Sequence, residues 1–204
     1  MKPGFLLALE GIDGSGKSTA AVGIVAALHE AGHEIVATRE PTDGPWGRRI
    51  REMARSGETV APEEELRWFV EDRREHVARV IRPALDAGRV VVTDRYFLST
   101  VAYQGARGLD WRAILAESEA EFPLPDLALI FDVNVPVGLA RVHGRADDAE
   151  PAFEEEAFLT RVKTVYGAIA RPWLARIDGN RDPATVLARA LGWIRPALAE
   201  VTGS

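Results

Sequence analysis

The 204-residue chain contains no cysteine. Disulfides and cysteine-ligated metals are thereby excluded, and a reducing cytoplasm is the simplest compartment. No run approaches the roughly 18 consecutive apolar residues of a membrane-spanning helix. Met1-Lys2-Pro3-Gly4 leads straight into a strand-like run, so no signal peptide is expected. A basic surplus is missing too: 25 Lys and Arg stand against 31 Asp and Glu, a net charge of −6. Binding a nucleic acid polymer needs the opposite balance. Lysine is confined to positions 2, 17 and 163, and among the many basic residues only the placed arginines are read as informative.

What is present is enough apolar material, 47% of residues, to fill one core but not two. We therefore expect a single domain over residues 1–204, without internal repeats or a long linker. Strand candidates are Phe5–Glu10, Glu34–Thr38, Arg89–Thr93, Leu127–Val133 and Trp173–Ile177. "RVVVT" and "LALIFDV" are nearly continuous apolar runs, as in strands covered on both faces. Helical periodicity fills the intervals: 16–30, 45–55, one long helix over 63–87, 98–105, 111–119, 136–145, 154–170 and 183–198. Gly32 and Gly88 stand at helix ends, and Pro62, Pro136 and Pro183 at helix starts. Strand–helix alternation predicts a parallel sheet sandwiched by helices. The polar stretch "HGRADDAEPAFEEE", residues 143–156, reads either as a solvated loop or as a lid.

Gly11-Ile12-Asp13-Gly14-Ser15-Gly16-Lys17-Ser18 fits G-x-x-x-x-G-K-[ST] and is followed by Thr19. It follows a strand candidate and opens a helix, the context that a phosphate-binding loop requires. Glycines at 11, 14 and 16 let successive N–H groups turn inward around phosphate oxygens. The helix start supplies a positive dipole end. Lys17 reaches β and γ oxygens, and the Ser18 hydroxyl suits Mg²⁺. The implied ligand is a nucleoside triphosphate. No guanine-reading N-K-x-D occurs, since "NRDP" at 180–183 lacks the lysine, and the chain is short for a large ATPase. A small-molecule kinase is left. Asp13, an anion inside a loop for anions, needs another contact, such as a hydroxyl or amine of a second substrate.

"TREPTDGP" at 38–45, "FVEDRREH" at 69–76 and "TDRYFLSTVAYQG" at 93–105 extend the pattern. Together with the loop, in order and spacing over essentially the whole chain, they resemble the thymidylate kinase family. The resemblance implies a P-loop NTPase-type three-layer α/β/α sandwich with a five-stranded parallel sheet and a helical lid segment, about residues 141–156. It also implies phosphoryl transfer from ATP to dTMP, a need for Mg²⁺, and a homodimer. Arg95 then holds the acceptor phosphate, since a guanidinium grips phosphate at two points. Asp94 either joins Ser18 in the Mg²⁺ shell or orients Arg95. Phe69 stacks on thymine and Arg73, one turn on, bonds a thymine carbonyl. Asp72, on another face, is expected in a salt bridge. Thr100, Tyr103 and Gln104 share a face; Thr100 and Gln104 lie near the base, and Tyr103 stands where a ribose 2′-hydroxyl would collide. Glu40 and Arg51 line the acceptor pocket, and Asp13 contacts the acceptor's 3′-hydroxyl.

The lid departs from the family pattern. Where many bacterial members carry D-R-x-E, this chain has Ala149-Glu150-Pro151-Ala152. Arg145 is the expected lid cation for the transferring phosphoryl, with Arg141 the alternative. "DGNRDP" at 178–183 resembles the adenine-side loop. Two other readings stay open: a kinase of a different small acceptor, and a nucleotide-binding homologue without turnover.

Overall fold

The structure, a computed structural model, describes residues 4–57, 59–143 and 149–203. Five strands, β1 (Phe5–Glu10), β2 (Ile35–Arg39), β3 (Val90–Asp94), β4 (Leu127–Asp132) and β5 (Leu174–Asp178), form one sheet in the order β2-β3-β1-β4-β5. Every pairing is parallel. The connecting helices are α1 (Lys17–Glu30), α2 (Pro45–Ser56), α3 (Pro62–His76), α4 (Arg82–Asp86), α5 (Phe97–Ala106), α6 (Trp111–Glu121), α7 (Val135–His143), α8 (Ala149–Ala168) and α9 (Pro183–Thr202). The α/β sandwich expected from the alternation is present. No helix among the described residues is long and apolar enough to cross a membrane.

Several element ends differ from the sequence reading by one to five residues, and two of the differences have a local cause. The last strand starts at Leu174, because the Leu174 amide donates to Arg171 O in a turn before the ladder begins. The long helix expected over 63–87 is interrupted by a π turn at Val77–Ile81. Pro83 explains it: a proline lacks the N–H for an α-helical bond to Arg79 O and its ring crowds that carbonyl. The chain widens, and the Arg82 amide reaches back to Val77 O instead.

β1 is buried throughout, and its period of two divides the core. Leu6 and Ala8 join Val91, Phe97, Val101 and Val162 on one side of the sheet. Phe5, Leu7 and Leu9 join Ile24, Ile194 and Leu198 of α1 and α9 on the other. A third cluster, Ile50, Met53 and Trp68 with Phe69 against it, ties α2 to α3. The sheet places β1 between β3 and β4, so successive connections leave in opposite directions from its carboxyl end. That reversal opens a crevice in parallel sheets, and Gly11–Gly16 lies there.

Gly14 and Gly16 both have positive φ, 71° and 89°, but for different reasons. A Cβ on Gly14 would stand 2.0 Å from the carbonyl oxygen of Gly138 in α7, so this glycine lets a helix pack on the loop. A Cβ on Gly16 would meet nothing within 4 Å among the described residues. Only its left-handed backbone requires glycine, at about 1 kcal/mol for another residue. Gly14→Ala should therefore lower stability in urea unfolding by about 2 kcal/mol or more, since backbone must move. Gly16→Ala should lower it by about half that or less. Equal losses would contradict the packing role.

Candidate active site

The first turn of α1, Lys17-Ser18-Thr19-Ala20, holds no acidic side chain, so its amides and partial positive charge stay available to an anion. Lys17 is buried, its Nζ 3.4 Å from Ile12 O and 3.6 Å from the Asp13 carboxylate. Arg95, one residue past β3, donates to Asp13 Oδ1 at 2.7 Å, to Gly11 O at 3.2 Å and to Ser99 Oγ at 3.1 Å. Asp13 thus sits between two cations. Burial pushes its carboxyl up, but Arg95 and Lys17 outweigh that and hold it below the usual carboxylate value. Burial, aided by Arg95, pushes the Lys17 ammonium down; Asp13, Asp94 and Glu10 offset part of this.

Ser18 Oγ donates to Asp94 Oδ2 at 2.5 Å. The other carboxylate oxygen of Asp94 is buried without a hydrogen-bond partner among the described residues. No hydrogen bond there joins Asp94 to the Arg95 guanidinium, so the orienting role left open for Asp94 has no geometric support. Two oxygen ligands beside a phosphate loop fit Mg²⁺, which is usually held by one or two side chains plus phosphates. A cleft of about 940 Å³ extends from the loop residues Asp13–Thr19 to Arg141, Asn180, Arg181 and Pro183. Arg141 donates to Gly14 O at 3.2 Å and Gly179 O at 2.9 Å, tying α7 to both sides of this cleft. Arg145, expected as the lid cation, lies outside the described residues, as do the other residues of 144–148 in the lid segment.

On the other side of Asp13 lies a second cavity, of about 310 Å³. Asp13, Glu40, Arg51, Phe69, Arg73, Arg95, Thr100 and Tyr103, to which the family resemblance gave acceptor roles, all line it. Gln104 does not: fully buried, it lies by Glu65 of α3, behind the wall. The helix turns it away from the cavity that Thr100 and Tyr103 face. Arg73 is 1% exposed and donates to Glu40 Oε2 through Nε (2.9 Å) and Nη2 (2.6 Å), and to Thr100 Oγ1 (2.8 Å). Its Nη1 has no hydrogen-bond partner among the described residues.

Glu40 therefore orients Arg73, and His76 holds its other oxygen at 2.9 Å while contacting Thr38 Oγ1 at 2.7 Å. Burial raises the Glu40 carboxyl, but Arg73 and His76 outweigh it and the net shift is down. A buried pair of this kind adds little net stability; its yield is orientation. Arg51 donates to Pro41 O (2.8 Å), Thr42 O (2.7 Å) and Asp43 (2.9 Å), bracing the loop of the cavity. Asp72 makes no salt bridge among the described residues, contrary to expectation. It accepts from Thr42 N at 2.8 Å and Thr42 Oγ1 at 2.6 Å, because the loop's polar groups reach it first.

The sequence reading missed Glu10, the last residue of β1. By the strand's alternation it points with Leu6 and Ala8 toward α5 and α8, where it is fully buried. Its carboxylate accepts from Tyr96 N (3.0 Å), Ser99 Oγ (2.5 Å) and Tyr166 OH (3.2 Å). An acidic residue closing an otherwise apolar strand was the available signal. Burial pushes its carboxyl up from 4.5 to about 7. The folded chain thus holds this proton more tightly than the unfolded chain. The resulting stabilisation is complete below 4.5 and is lost as pH rises through about 7. Thermal melts from about pH 5 to about pH 8 should show falling stability, and Glu10→Gln, which cannot ionise, should flatten the fall. An equally steep fall in the variant would contradict this.

The comparisons with known proteins agree with this geometry. The family model described as thymidylate kinase matches residues 9–189. A thymidylate kinase of Xanthomonas euvesicatoria pv. vesicatoria (strain 85-10) is 44% identical over 201 residues, covering 98% of this chain and 88% of the relative. That of Xanthomonas campestris pv. campestris (strain B100) is 43% identical over 197 residues, covering 97% and 86%. That of Akkermansia muciniphila (strain ATCC BAA-835) is 41% identical over 203 residues, covering 100% and 97%. Matched along nearly its full length by the model and by these relatives, the chain belongs to the thymidylate kinase family.

Proposed function

We propose that the two cavities meeting at Asp13 seat ATP and dTMP, and that this cluster carries out the family's reaction. The chain is a dTMP kinase, passing the terminal phosphoryl of ATP to dTMP to give dTDP and ADP. One observation carries the site assignment: Asp13 lines both the loop-side cleft and the smaller cavity, with Lys17 on one side of it and Arg95 on the other.

Lys17 and the amides of residues 11–19 hold the donor phosphates, and Arg141 with the 178–183 loop borders the donor nucleoside. Arg95 holds the acceptor phosphate and offsets its repulsion from the incoming phosphoryl. An oxygen of that phosphate, already ionised at neutral pH, attacks the γ-phosphorus. The new P–O bond forms as the bond to the β-bridging oxygen breaks, its electrons leaving on ADP. No general base is required, so this chain's work is positioning and neutralisation of charge. Ser18 and Asp94 would hold Mg²⁺, which when bound supplies further neutralisation on the phosphates. Asp13, displaced from the two cations by phosphate, turns to the acceptor's 3′-hydroxyl.

Phe69 offers its ring face to thymine, and Arg73 offers its unpaired Nη1 to a ring carbonyl. Thr100 holds Arg73 from the side, and Tyr103, 3.5 Å from Asp13 through its hydroxyl, narrows the sugar region against a 2′-hydroxyl. The reading also includes a cytoplasmic homodimer. Leu66, Val70 and Val77 of the α3 region are partly buried against the main core, so the core accounts for part of the long helix's apolar stripe.

Turnover assays with dTMP as acceptor test these roles. Arg95→Ala should lower kcat/KM by about 100-fold or more. Phe69→Ala should raise KM for dTMP by about tenfold while changing kcat by no more than about threefold. Near-normal turnover in Arg95→Ala would overturn the acceptor-clamp assignment.

A further inference from the structure

Arg95 is the non-glycine residue with positive φ among the described residues, at 72°. A left-handed backbone there costs about 1–2 kcal/mol and persists only when the surroundings impose it. The surroundings are specific. The Arg95 amide donates to Leu9 O at 2.8 Å, and Thr93 Oγ1 donates to Arg95 O at 2.7 Å. The next amide, Tyr96 N, donates to Glu10 Oε1 at 3.0 Å. At the far end of the side chain, Arg95 Nη1 donates to Ser99 Oγ at 3.1 Å, and that hydroxyl donates to Glu10 Oε2 at 2.5 Å.

We propose that Glu10 is a positioning residue for the acceptor clamp: from the end of β1 it fixes both the backbone after Arg95 and, through Ser99, the guanidinium itself. The proposal rests on the reading of Arg95 as the acceptor-phosphate clamp and extends it to a residue that touches no substrate.

The chemistry favours a carboxyl at this position. One oxygen accepts an amide, while the other accepts two hydroxyls, those of Ser99 and of Tyr166 from α8. A glutamine offers one accepting oxygen and an NH₂ group, so one side of the arrangement loses its acceptor. The guanidiniums of Arg95 and Arg73 and the carboxylate of Glu40 act on Glu10 electrostatically, and Lys17 feels it in turn. Glu10 is fully buried, whereas the cavity is lined by Ser99 and Tyr96 in front of it. Its influence on substrate therefore passes through Arg95.

Calorimetric binding of dTMP and of thymidine, which lacks the phosphate, separates this role from a general structural one. In Glu10→Gln, dTMP affinity should fall about tenfold while thymidine affinity stays within about twofold, because a displaced clamp loses only phosphate contacts. In kinetics KM for ATP should likewise stay within about twofold. Arg95→Ala run alongside should abolish most of the preference for dTMP over thymidine. If Arg95→Ala shows that loss and Glu10→Gln does not, the Glu10 proposal fails and the clamp stands. Equal loss of both ligands in Glu10→Gln also overturns it, as a mere folding defect. If Arg95→Ala keeps the preference, the clamp reading fails and the proposal with it. Should Glu10→Gln not fold, Ser99→Ala cuts the same link; a dTMP-specific loss of about threefold is expected, and an unchanged ratio of affinities overturns the proposal.

Discussion

The carboxylate of Asp13, held between the ammonium of Lys17 and the guanidinium of Arg95, is the interaction on which the site depends. Two cations this close, largely buried, repel each other: Arg95 is among the influences that weaken the Lys17 proton. A single anion makes their convergence tolerable before phosphates arrive. It also marks where donor and acceptor phosphates would meet, since the two cavities join at this residue. The site is assembled in advance, and chemistry that relies on charge neutralisation benefits from such preorganisation.

The parallel sheet makes the convergence possible. β1 and β3 are neighbours in register, Leu9 opposite Asp94, so the loop after one strand and Arg95 after the other emerge side by side. Residues before the strand ends are packed in the core; residues just past them line the two cavities. Glu10 lies at the boundary, buried like the core and bonded like the site. The loop's glycines divide similarly. Gly14 admits α7 onto the loop, and Arg141 from that helix then borders the larger cleft. Packing of a helix and placement of a cation are consequences of one missing Cβ.

Much of this was legible in the residues. Near-continuous apolar runs announced the buried strands, and the loop's pattern announced a strand–loop–helix turn that now lines the larger cleft. The wall of the smaller cavity was implied by the family resemblance, and helical spacing is consistent with it: Phe69 and Arg73, Thr100 and Tyr103, are one turn apart and line the cavity together. Gln104 shows the limit of that argument. Spacing puts it near Thr100, but rotation about the helix axis of 100° per residue leaves it behind the wall, and only packing decides which edge of a face is inside. The π turn at Val77–Ile81 was hidden because Pro83 in a helical pattern signals a disturbance without saying how the ladder is rerouted. Glu40 lines the cavity but its partners, Arg73 and His76, come from a distant element, and so do those of Asp72, which meets the Thr42 amide and hydroxyl in place of the expected salt bridge. The Glu10–Ser99–Tyr166 group joins three segments far apart in the chain, which no local pattern encodes.

A crystal structure bound to a conjugate of thymidine and adenosine joined through a phosphate chain tests the central claim most directly. The account predicts Arg95 within about 3 Å of an oxygen on the thymidine-side phosphate and Lys17 within about 3 Å of one on the adenosine side, with Asp13 released from at least one of them. Phosphates seated elsewhere, with Lys17 and Arg95 both still paired to Asp13, would contradict it.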